Sequence, residues 1–121
     1  MAKVFLDTNA FIDISEDRDS SLLTSLDGHS LFVSVISLGI WTYLYKICVP
    51  DKKFDELPNN FNIVAVDVST AQKSFLGPTS DFEDNIQLHS AVESGCDVFI
   101  TKDAGLLKMG YFGKVKIVSQ V

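Results

Sequence analysis

Short apolar runs, separated by segments with helical spacing, most constrain how this chain can fold. The runs cover residues 4–6, 31–33, 61–66, 98–100 and 115–118. Because each run contains adjacent apolar residues, both faces of the strand that it would form are expected to be buried. Buried strands that alternate with helices predict an α/β fold: a three-layer α/β/α sandwich around a central parallel sheet of four to five strands.

The length and composition fit a single domain that covers residues 1–121, with 46% hydrophobic residues to form one core. No run approaches the roughly 20 apolar residues of a membrane-spanning helix, and Met1 leads directly into a strand-like run instead of a signal peptide. Cys48 and Cys96 lack the spacing of a disulfide scaffold or a metal pair. We therefore expect a soluble, cytoplasmic protein with two buried free thiols and no membrane partner.

The boundaries of the helices follow from stop and cap signals. Helical spacing continues through residues 8–27 as far as Asp27-Gly28, and residues 34–48 and 69–77 predict two further helices. Ser80 stands three residues before Glu83, in the spacing of a capping box, so we expect the next helix to open there.

Three aspartates occupy positions at which α/β proteins carry their catalytic or ligand-binding residues. Asp7 directly follows the first apolar run, and Asp103 follows the fourth run. Asp84 falls in the first turn of a helix and shares its face with Leu88 and Ala91, which directs its carboxylate over the sheet. Ligands of such folds bind outside the carboxyl ends of the strands. If the first and fourth strands are neighbours, the three carboxylates converge.

Converging carboxylates cannot all stay ionised unless a cation neutralises them or a pKa rises. A ligand set made only of oxygen atoms suits Mg²⁺ or Mn²⁺ better than Zn²⁺. Such ions polarise a phosphoryl oxygen and activate a water molecule. The sequence therefore predicts a divalent-metal site that acts on phosphate esters.

Helix capping is the alternative explanation for each acid. Asp7 and Asp103 each precede a helix that they could cap, and Asp81 and Asp84 suit the positive N-terminus of theirs. Asp81 fits a pure cap best, and it remains a candidate neighbour of the site. Further acids are explained most simply as a solvated helix face: Asp13, Glu16, Asp17 and Asp19.

The charge balance disfavours an ordinary nucleic-acid binder, because 10 basic and 16 acidic residues give a net charge of −6. The C-terminal residues 101–121 differ, since their only acid is Asp103 and they contain four lysines: Lys102, Lys108, Lys114 and Lys116. Contacts to phosphate are expected from this end. The acidic remainder could receive a basic partner.

The order of these motifs resembles the PIN domain family, and in particular the short VapC-like toxins of type II toxin–antitoxin pairs. Residues 4–9 (VFLDTN) resemble the opening strand of the family with its first acid, and residues 81–85 (DFEDN) resemble the start of its central helix. Residues 101–103 (TKD) resemble the end of its fourth strand, and residues 94–97 resemble the segment before that strand. The match covers nearly the whole chain.

This resemblance implies a metal-dependent endoribonuclease that hydrolyses RNA phosphodiester bonds. Asp7, Asp84 and Asp103 would hold Mg²⁺ or Mn²⁺ and carry catalysis, while Asn9 and Thr101 would orient these carboxylates through hydrogen bonds. The implied partners are an RNA substrate and a small antitoxin protein that covers the acidic cleft.

One position departs from the family pattern. Family members often carry a glutamate early in the helix after the second strand, and this chain has Ile40 there. Three carboxylates can still hold one Mg²⁺ with waters, but a second metal is disfavoured. The alternative function is a weakened or inactive PIN-fold module that binds protein or RNA. A phosphoacceptor with Asp7 as nucleophile is disfavoured, because Asn9 stands where a second aspartate is expected.

The helix that contains Ile40 is also unusually apolar, and its stretch comprises Ile40, Trp41, Tyr43, Leu44 and Tyr45. This is more apolar surface than one helix face needs. It predicts a homodimer or partner surface, with ordinary core packing as the alternative.

Overall fold

The computed structural model describes residues 1–121, which form seven α-helices and one six-stranded sheet. The strands are β1 (Lys3–Leu6), β2 (Ser30–Ser34), β3 (Asn62–Val64), β4 (Val98–Ile100), β5 (Tyr111–Phe112) and β6 (Val115–Val118). The helices are α1 (Thr8–Ser15), α2 (Ser20–Ser25), α3 (Val35–Leu44), α4 (Leu57–Asn60), α5 (Val68–Phe75), α6 (Phe82–Glu93) and α7 (Ala104–Met109). A short 3₁₀ turn, Lys52–Phe54, precedes α4.

The strand order in the sheet is β3-β2-β1-β4-β6-β5, and all neighbours are parallel except β5 and β6. The chain moves outward from β1 to β2 and β3, and then returns to place β4 on the other side of β1. The gap between β1 and β4 is therefore the switch point at which α/β proteins bind ligands. The sheet has six strands instead of the expected four to five. The additional strand β5 is only two residues long, so its apolar run is too short to predict a strand.

Apolar layers cover both faces of the sheet. Val4 and Leu6 of β1 pack in one core cluster with Phe11 and Trp41. Phe5 points to the other face, where a second cluster contains Leu88 of α6. Each such buried side chain contributes about 1.5–3 kcal/mol relative to an exposed one. An α/β sandwich results, as the runs that are apolar on both faces predicted.

Two of the expected helices are shorter than the sequence indicated. The predicted 8–27 helix is two helices, because Asp17 has a positive φ of 54° and Asp19 caps α2 by accepting a hydrogen bond from the Leu22 amide. The predicted 34–48 helix ends at Leu44, just before Lys46 adopts a φ of 51°. Left-handed backbone at a non-glycine residue stops a helix, and apolar spacing alone does not reveal it.

The N-terminus of α6 also differs in detail. Its cap is Asp81, whose Oδ1 accepts a hydrogen bond from the Asp84 amide at 2.9 Å. The capping interpretation of Asp81 is confirmed, and the expectation that the helix opens at Ser80 was wrong. The expected face of this helix is confirmed, because Leu88 and Ala91 are fully buried against the sheet.

The apolar stretch of α3 divides between core and surface. Trp41 is buried, and its Nε1 donates to Glu16 Oε2 at 2.8 Å. Tyr43 and Leu44 are 82% and 58% exposed. Core packing therefore explains Trp41, and the exposed pair remains available for a partner.

Both cysteines are free. Cys96 is buried, which raises the pKa of its thiol to about 12. Cys48 is exposed, because α3 has already ended, so the expectation of a buried thiol there was wrong. None of the helices is long and apolar enough to cross a membrane.

Candidate active site

Asp7 and Asp103 follow the carboxyl ends of two strands that are direct neighbours. β1 and β4 pair in parallel with Leu6 opposite Ile100, and the Asp7 amide donates to the Ile100 carbonyl oxygen at 3.1 Å. Thr101 is fully buried between the two acids. Its hydroxyl donates to the Asp7 carboxylate, and its Oγ1 accepts from the Asp103 amide at 3.0 Å. One buried threonine therefore links both acids.

Both aspartates also cap helices. Asp7 Oδ1 accepts from the Ala10 amide at 2.8 Å, and Asp103 Oδ1 accepts from the Leu106 amide at 2.9 Å. The capping interpretation of these residues is thus confirmed. It does not exclude metal binding, because an ionised carboxylate has about four acceptor positions and a cap uses only one or two of them.

Asp84 lies within the field of several other carboxylates. Burial raises its pKa, and the negative charges of Asp81, Asp103, Glu83 and Asp7 raise it further, to about 6. Asp81 is therefore a neighbour of the site as well as a cap. The acids at the ends of β1 and β4 and at the start of α6 act on one another, and we call Asp7, Asp84 and Asp103 the acidic site.

Asp7 is the most enclosed member of the acidic site. Burial raises its pKa, the hydrogen bonds from Thr101 and the Ala10 amide lower it, and the charges of Asp13 and Asp103 raise it again. The net direction is upward. Burial and neighbouring negative charges oppose the ionisation of Asp7. A cation at this edge would therefore lower the free-energy cost of ionising it.

The nearby cation Lys102 is already engaged. Its ammonium group donates to Asp13 at 3.2 Å and to Asp19 at 2.7 Å, and Arg18 also binds Asp13. Asp13 is buried, so its assignment to a solvated helix face was wrong. The sequence could not reveal this pairing, because Lys102 and Asp13 are 89 positions apart. Lys102 anchors the β4–α7 loop to α1 and α2 rather than neutralising the acidic site.

A polar network, which the sequence did not predict, lies beside the acidic site where α1, α3 and α6 meet. Thr8 Oγ1 is 2.9 Å from Ser37 Oγ, accepts from Gln87 Nε2 at 2.7 Å, and donates to Glu83 Oε1 at 3.1 Å. Only the four-residue spacing of Glu83 and Gln87, which puts them on one helix face, could have indicated it. Ile40 is half-buried on α3 and belongs to neither core cluster.

The three acids offer only carboxylate oxygens as possible ligands. No three histidine, cysteine, aspartate or glutamate side chains stand as a group that could hold a metal ion. The three acids of the site nevertheless provide only oxygen, the ligand type of Mg²⁺ and Mn²⁺, and their mutual repulsion is relieved by positive charge. Asn9 is exposed on α1 and forms no side-chain hydrogen bond, so its orienting role stays a prediction.

Similar folds occur among solved structures. A chain of VapBC2 from Rickettsia felis, bound to a promoter DNA fragment, matches with a TM-score of 0.68 and 12% identity over 96% of this chain and 97% of that chain. DNA-bound VapBC from Salmonella typhimurium matches with a TM-score of 0.67 and 16% identity over 98% of both chains. A chain of FitAB bound to the IR36 DNA fragment matches with a TM-score of 0.63 and 16% identity over 95% of this chain and 93% of that chain.

The chain shares its fold with members of these complexes. The likeness extends over nearly the full length of each matching chain, so the architecture is common to all of them. No family model matches the chain, and no curated protein matches it significantly. At 12–16% identity the likeness establishes the fold alone.

Proposed function

We propose that this protein is a PIN-type, Mg²⁺- or Mn²⁺-dependent endoribonuclease, the VapC-like toxin of a toxin–antitoxin pair. The observation that carries the proposal is that Asp7 and Asp103 follow neighbouring strands at the switch point of the sheet, are linked through the buried Thr101, and raise the pKa of Asp84 by their charge. The shared fold with VapBC and FitAB chains supports the same assignment.

Each acid would contribute differently to hydrolysis. When bound, Mg²⁺ or Mn²⁺ supplies Lewis-acid polarisation of a phosphoryl oxygen and activation of a water molecule. Thr101 and the Ala10 amide hold the Asp7 carboxylate in one orientation, and the Leu106 amide does the same for Asp103. Burial and neighbouring negative charges raise the pKa of Asp84 to about 6, so its protonation changes near neutral pH. Asp84 is therefore the most informative position for a test.

The charge distribution favours the nuclease of the pair over a DNA-binding component. The net charge of −6 opposes direct binding to duplex DNA. Three exposed lysines near the C-terminus form no ion pair: Lys108, Lys114 and Lys116. They are the groups that we expect to contact the RNA backbone.

A groove beside α1 and α2, which none of the acidic-site residues lines, offers a place for the second protein of the pair in addition to the acidic cleft that the resemblance implies. Its volume is about 760 Å³, and apolar residues of four helices line it, including Ile14, Leu23, Trp41 and Leu57. Ser15 also lines it, and the Ser15 hydroxyl is buried without a hydrogen-bond partner. An amphipathic helix fits such a groove, and a basic partner suits the acidic chain.

An RNA cleavage assay tests the proposed function. The wild type and Asp84→Asn are incubated with single-stranded and structured RNA, with Mn²⁺ or with chelator, and Asp55→Asn serves as a control at an exposed acid outside the site. We expect cleavage by the wild type and the control only when Mn²⁺ is present. Undiminished cleavage by Asp84→Asn would contradict the proposal.

A second candidate function is a PIN-fold module with little or no turnover that binds protein or RNA. The half-buried Ile40 favours it, because an isoleucine cannot ligate a cation at the position where the resemblance implies a glutamate. Calorimetric titration separates the two candidates. Mn²⁺ binding that is lost in Asp84→Asn supports the nuclease, and RNA binding that is indifferent to chelator supports the module.

A further inference from the structure

Two phenylalanine rings stack on each other at the surface where α5 ends and α6 begins. Phe75 is the last residue of α5 and Phe82 is the first of α6, and their ring centroids are 5.1 Å apart with the planes inclined by 13°. Phe75 is 72% exposed and Phe82 is 44% exposed. Neither ring packs against either core cluster, so burial in the core does not explain their position. We call these two residues the aromatic pair.

Hydrogen bonds hold the segment between the two rings in one conformation. The buried Asn85 side chain donates through Nδ2 to the carbonyl oxygens of Ser74 and Thr79, each at 2.9 Å, and its Oδ1 accepts from the Thr79 amide at 2.9 Å. Ser74 directly precedes Phe75, and Asn85 lies three residues after Phe82. Both rings are therefore in place before a ligand arrives, which lowers the entropic cost of binding.

The aromatic pair lies beside the acidic site. Phe82 stands two residues before Asp84 in the first turn of α6, which separates them by about 3 Å along the helix axis. Side chains two positions apart do not share a face of a helix, so the aromatic pair and the acidic site flank the N-terminal end of α6. An RNA strand with a phosphate at the acidic site can cross this end and bring a neighbouring base onto the rings.

We propose that the aromatic pair binds an unpaired base next to the bond that is cleaved, which makes single-stranded RNA the substrate class. This inference rests on the proposed function, because it names the substrate of the same site. Phe75 is the more exposed ring, and a base that stacks on it continues the stack that Phe75 and Phe82 begin. Duplex RNA keeps its bases paired and stacked within the helix, so it offers no base to the rings.

The charge around the aromatic pair favours a base over a phosphate group. Asp81 and Glu83 flank Phe82 in the chain, and the net charge of the protein is −6. These acids repel phosphate, whereas stacking on an aromatic ring depends little on charge and accepts every base. Base stacking therefore supplies RNA affinity at a place where lysine and arginine contacts do not.

A second copy of the chain is the competing occupant of this surface. Leu76, next to Phe75, is 91% exposed and adds apolar area that a protein partner would cover. A protein contact depends on apolar area in general, whereas a base requires the flat face of a ring. Variants that remove the ring and keep the apolar area distinguish the two occupants.

The experiment is a fluorescence anisotropy titration of labelled single-stranded RNA, and of the same sequence annealed into a duplex, in chelator to prevent cleavage. Phe75→Leu keeps apolar area and removes the ring. We expect it to weaken binding of the single strand about 5–150-fold, the range for the loss of one stacked base. Phe75→Trp should bind at least as tightly as the wild type, and duplex affinity should be the same in all proteins.

Two control variants accompany Phe75→Leu. Leu76→Ala removes apolar area from the same surface, and Tyr43→Leu removes an exposed ring from α3. Both should bind single-stranded RNA as the wild type does. Cleavage with Mn²⁺ gives a second readout, in which Phe75→Leu should raise the KM for RNA and leave kcat nearly unchanged, because the ring binds substrate without contacting the reacting bond.

The outcomes separate this inference from the proposed function. Wild-type affinity and KM in Phe75→Leu, together with lost cleavage in Asp84→Asn, would overturn the inference and leave the proposed function intact. An equal loss in Leu76→Ala, or a changed molecular mass of Phe75→Leu, would overturn it in favour of a second copy of the chain. An equal loss of duplex binding would also overturn it. A wild type that neither binds nor cleaves RNA would overturn the proposed function itself.

Discussion

The amide of Asp7 donates a hydrogen bond to the carbonyl oxygen of Ile100 at 3.1 Å, which ties the end of β1 to the end of β4. The next residue after Ile100 is Thr101, and its hydroxyl donates a hydrogen bond to the Asp7 carboxylate. Backbone and side chain together fix the position of Asp7. The geometry of the acidic site therefore depends on Thr101 as much as on the acids.

Replacement of Thr101 by valine should loosen the site. Valine keeps the shape but removes the hydroxyl that bonds Asp7 and Asp103. We expect a loss of about 1–3 kcal/mol in the free energy of unfolding, because the enclosed Asp7 carboxylate loses a donor and the partly buried Asp103 amide loses its acceptor. Mn²⁺ affinity should fall about 10–100-fold, as for other groups that orient metal ligands.

Urea denaturation and calorimetry measure the two effects of Thr101→Val. The matched control is Thr24→Val, at an exposed threonine of α2 that bonds only the Ser20 carbonyl oxygen. It should change stability by no more than about 0.5 kcal/mol. Equal Mn²⁺ affinity in both variants would refute an orienting role for Thr101.

The metal-free protein should lose stability as the pH rises from about 4 to about 6. The pKa of Asp84 is raised from 3.8 to about 6 in the folded protein, and the pKa of Asp7 is also raised. A carboxyl with a higher pKa when folded binds its proton more tightly in the folded state, so its ionisation lowers the free energy of unfolding. The loss of stability due to Asp84 is complete once the pH is above the pKa of this carboxyl in the folded protein.

The free energy of unfolding, measured with urea at several pH values in chelator, tests this dependence. The wild type is compared with Asp84→Asn and Asp55→Asn. Of the three proteins, only Asp84→Asn should show a smaller decline in the free energy of unfolding, because its residue 84 has no proton to release. If the acidic site binds Mn²⁺ as proposed, saturating Mn²⁺ at pH 7 should raise the stability of the wild type, since an ion held only by the folded protein stabilises it. Identical pH profiles in all three proteins would contradict the prediction.

Local signals made much of the fold and part of the site predictable. Apolar runs located the strands except β5, and the strand ends located Asp7 and Asp103. Helical periodicity placed Leu88 and Ala91 of α6 against the sheet. These features depend on residues close together in the chain.

Long-range contacts made the rest unpredictable. Glu83 and Thr8 are 75 positions apart, and their hydrogen bond depends on how α6 packs against α1. Lys102 reaches Asp13 across 89 positions, which turned an apparently solvated acid into a buried one. Neither periodicity nor capping signals contain information about such pairs.

Lys102→Met should destabilise the protein more than Lys73→Met. Lys102 bridges Asp19 and the enclosed carboxylate of Asp13, whereas Lys73 pairs only with Glu93, and both partners of that pair are about half exposed. Because Lys102 itself is 57% exposed, solvent screening limits the expected loss to about 1 kcal/mol. Urea denaturation of both variants at low salt measures the loss in the free energy of unfolding. Equal losses would show that the ion pairs of Lys102 contribute no more to stability than the pair of Lys73 and Glu93.

The homodimer prediction now rests on two exposed residues at the end of α3. Tyr43 and Leu44 present apolar surface to solvent, whereas Trp41 of the same stretch is buried. Apolar groups left exposed on one helix end favour association with a second copy. We therefore expect Tyr43→Ser combined with Leu44→Ser to convert a dimer into a monomer without a large change in melting temperature.

Light scattering during size-exclusion chromatography measures the mass of each form. The matched control combines Phe75→Ser with Leu76→Ser, at the end of α5, where a second pair of apolar residues is exposed. If the α3 surface joins the two copies, only the first double variant changes mass. A change confined to the α5 variant would move the contact to α5, and an unchanged monomeric mass for the wild type would refute the dimer.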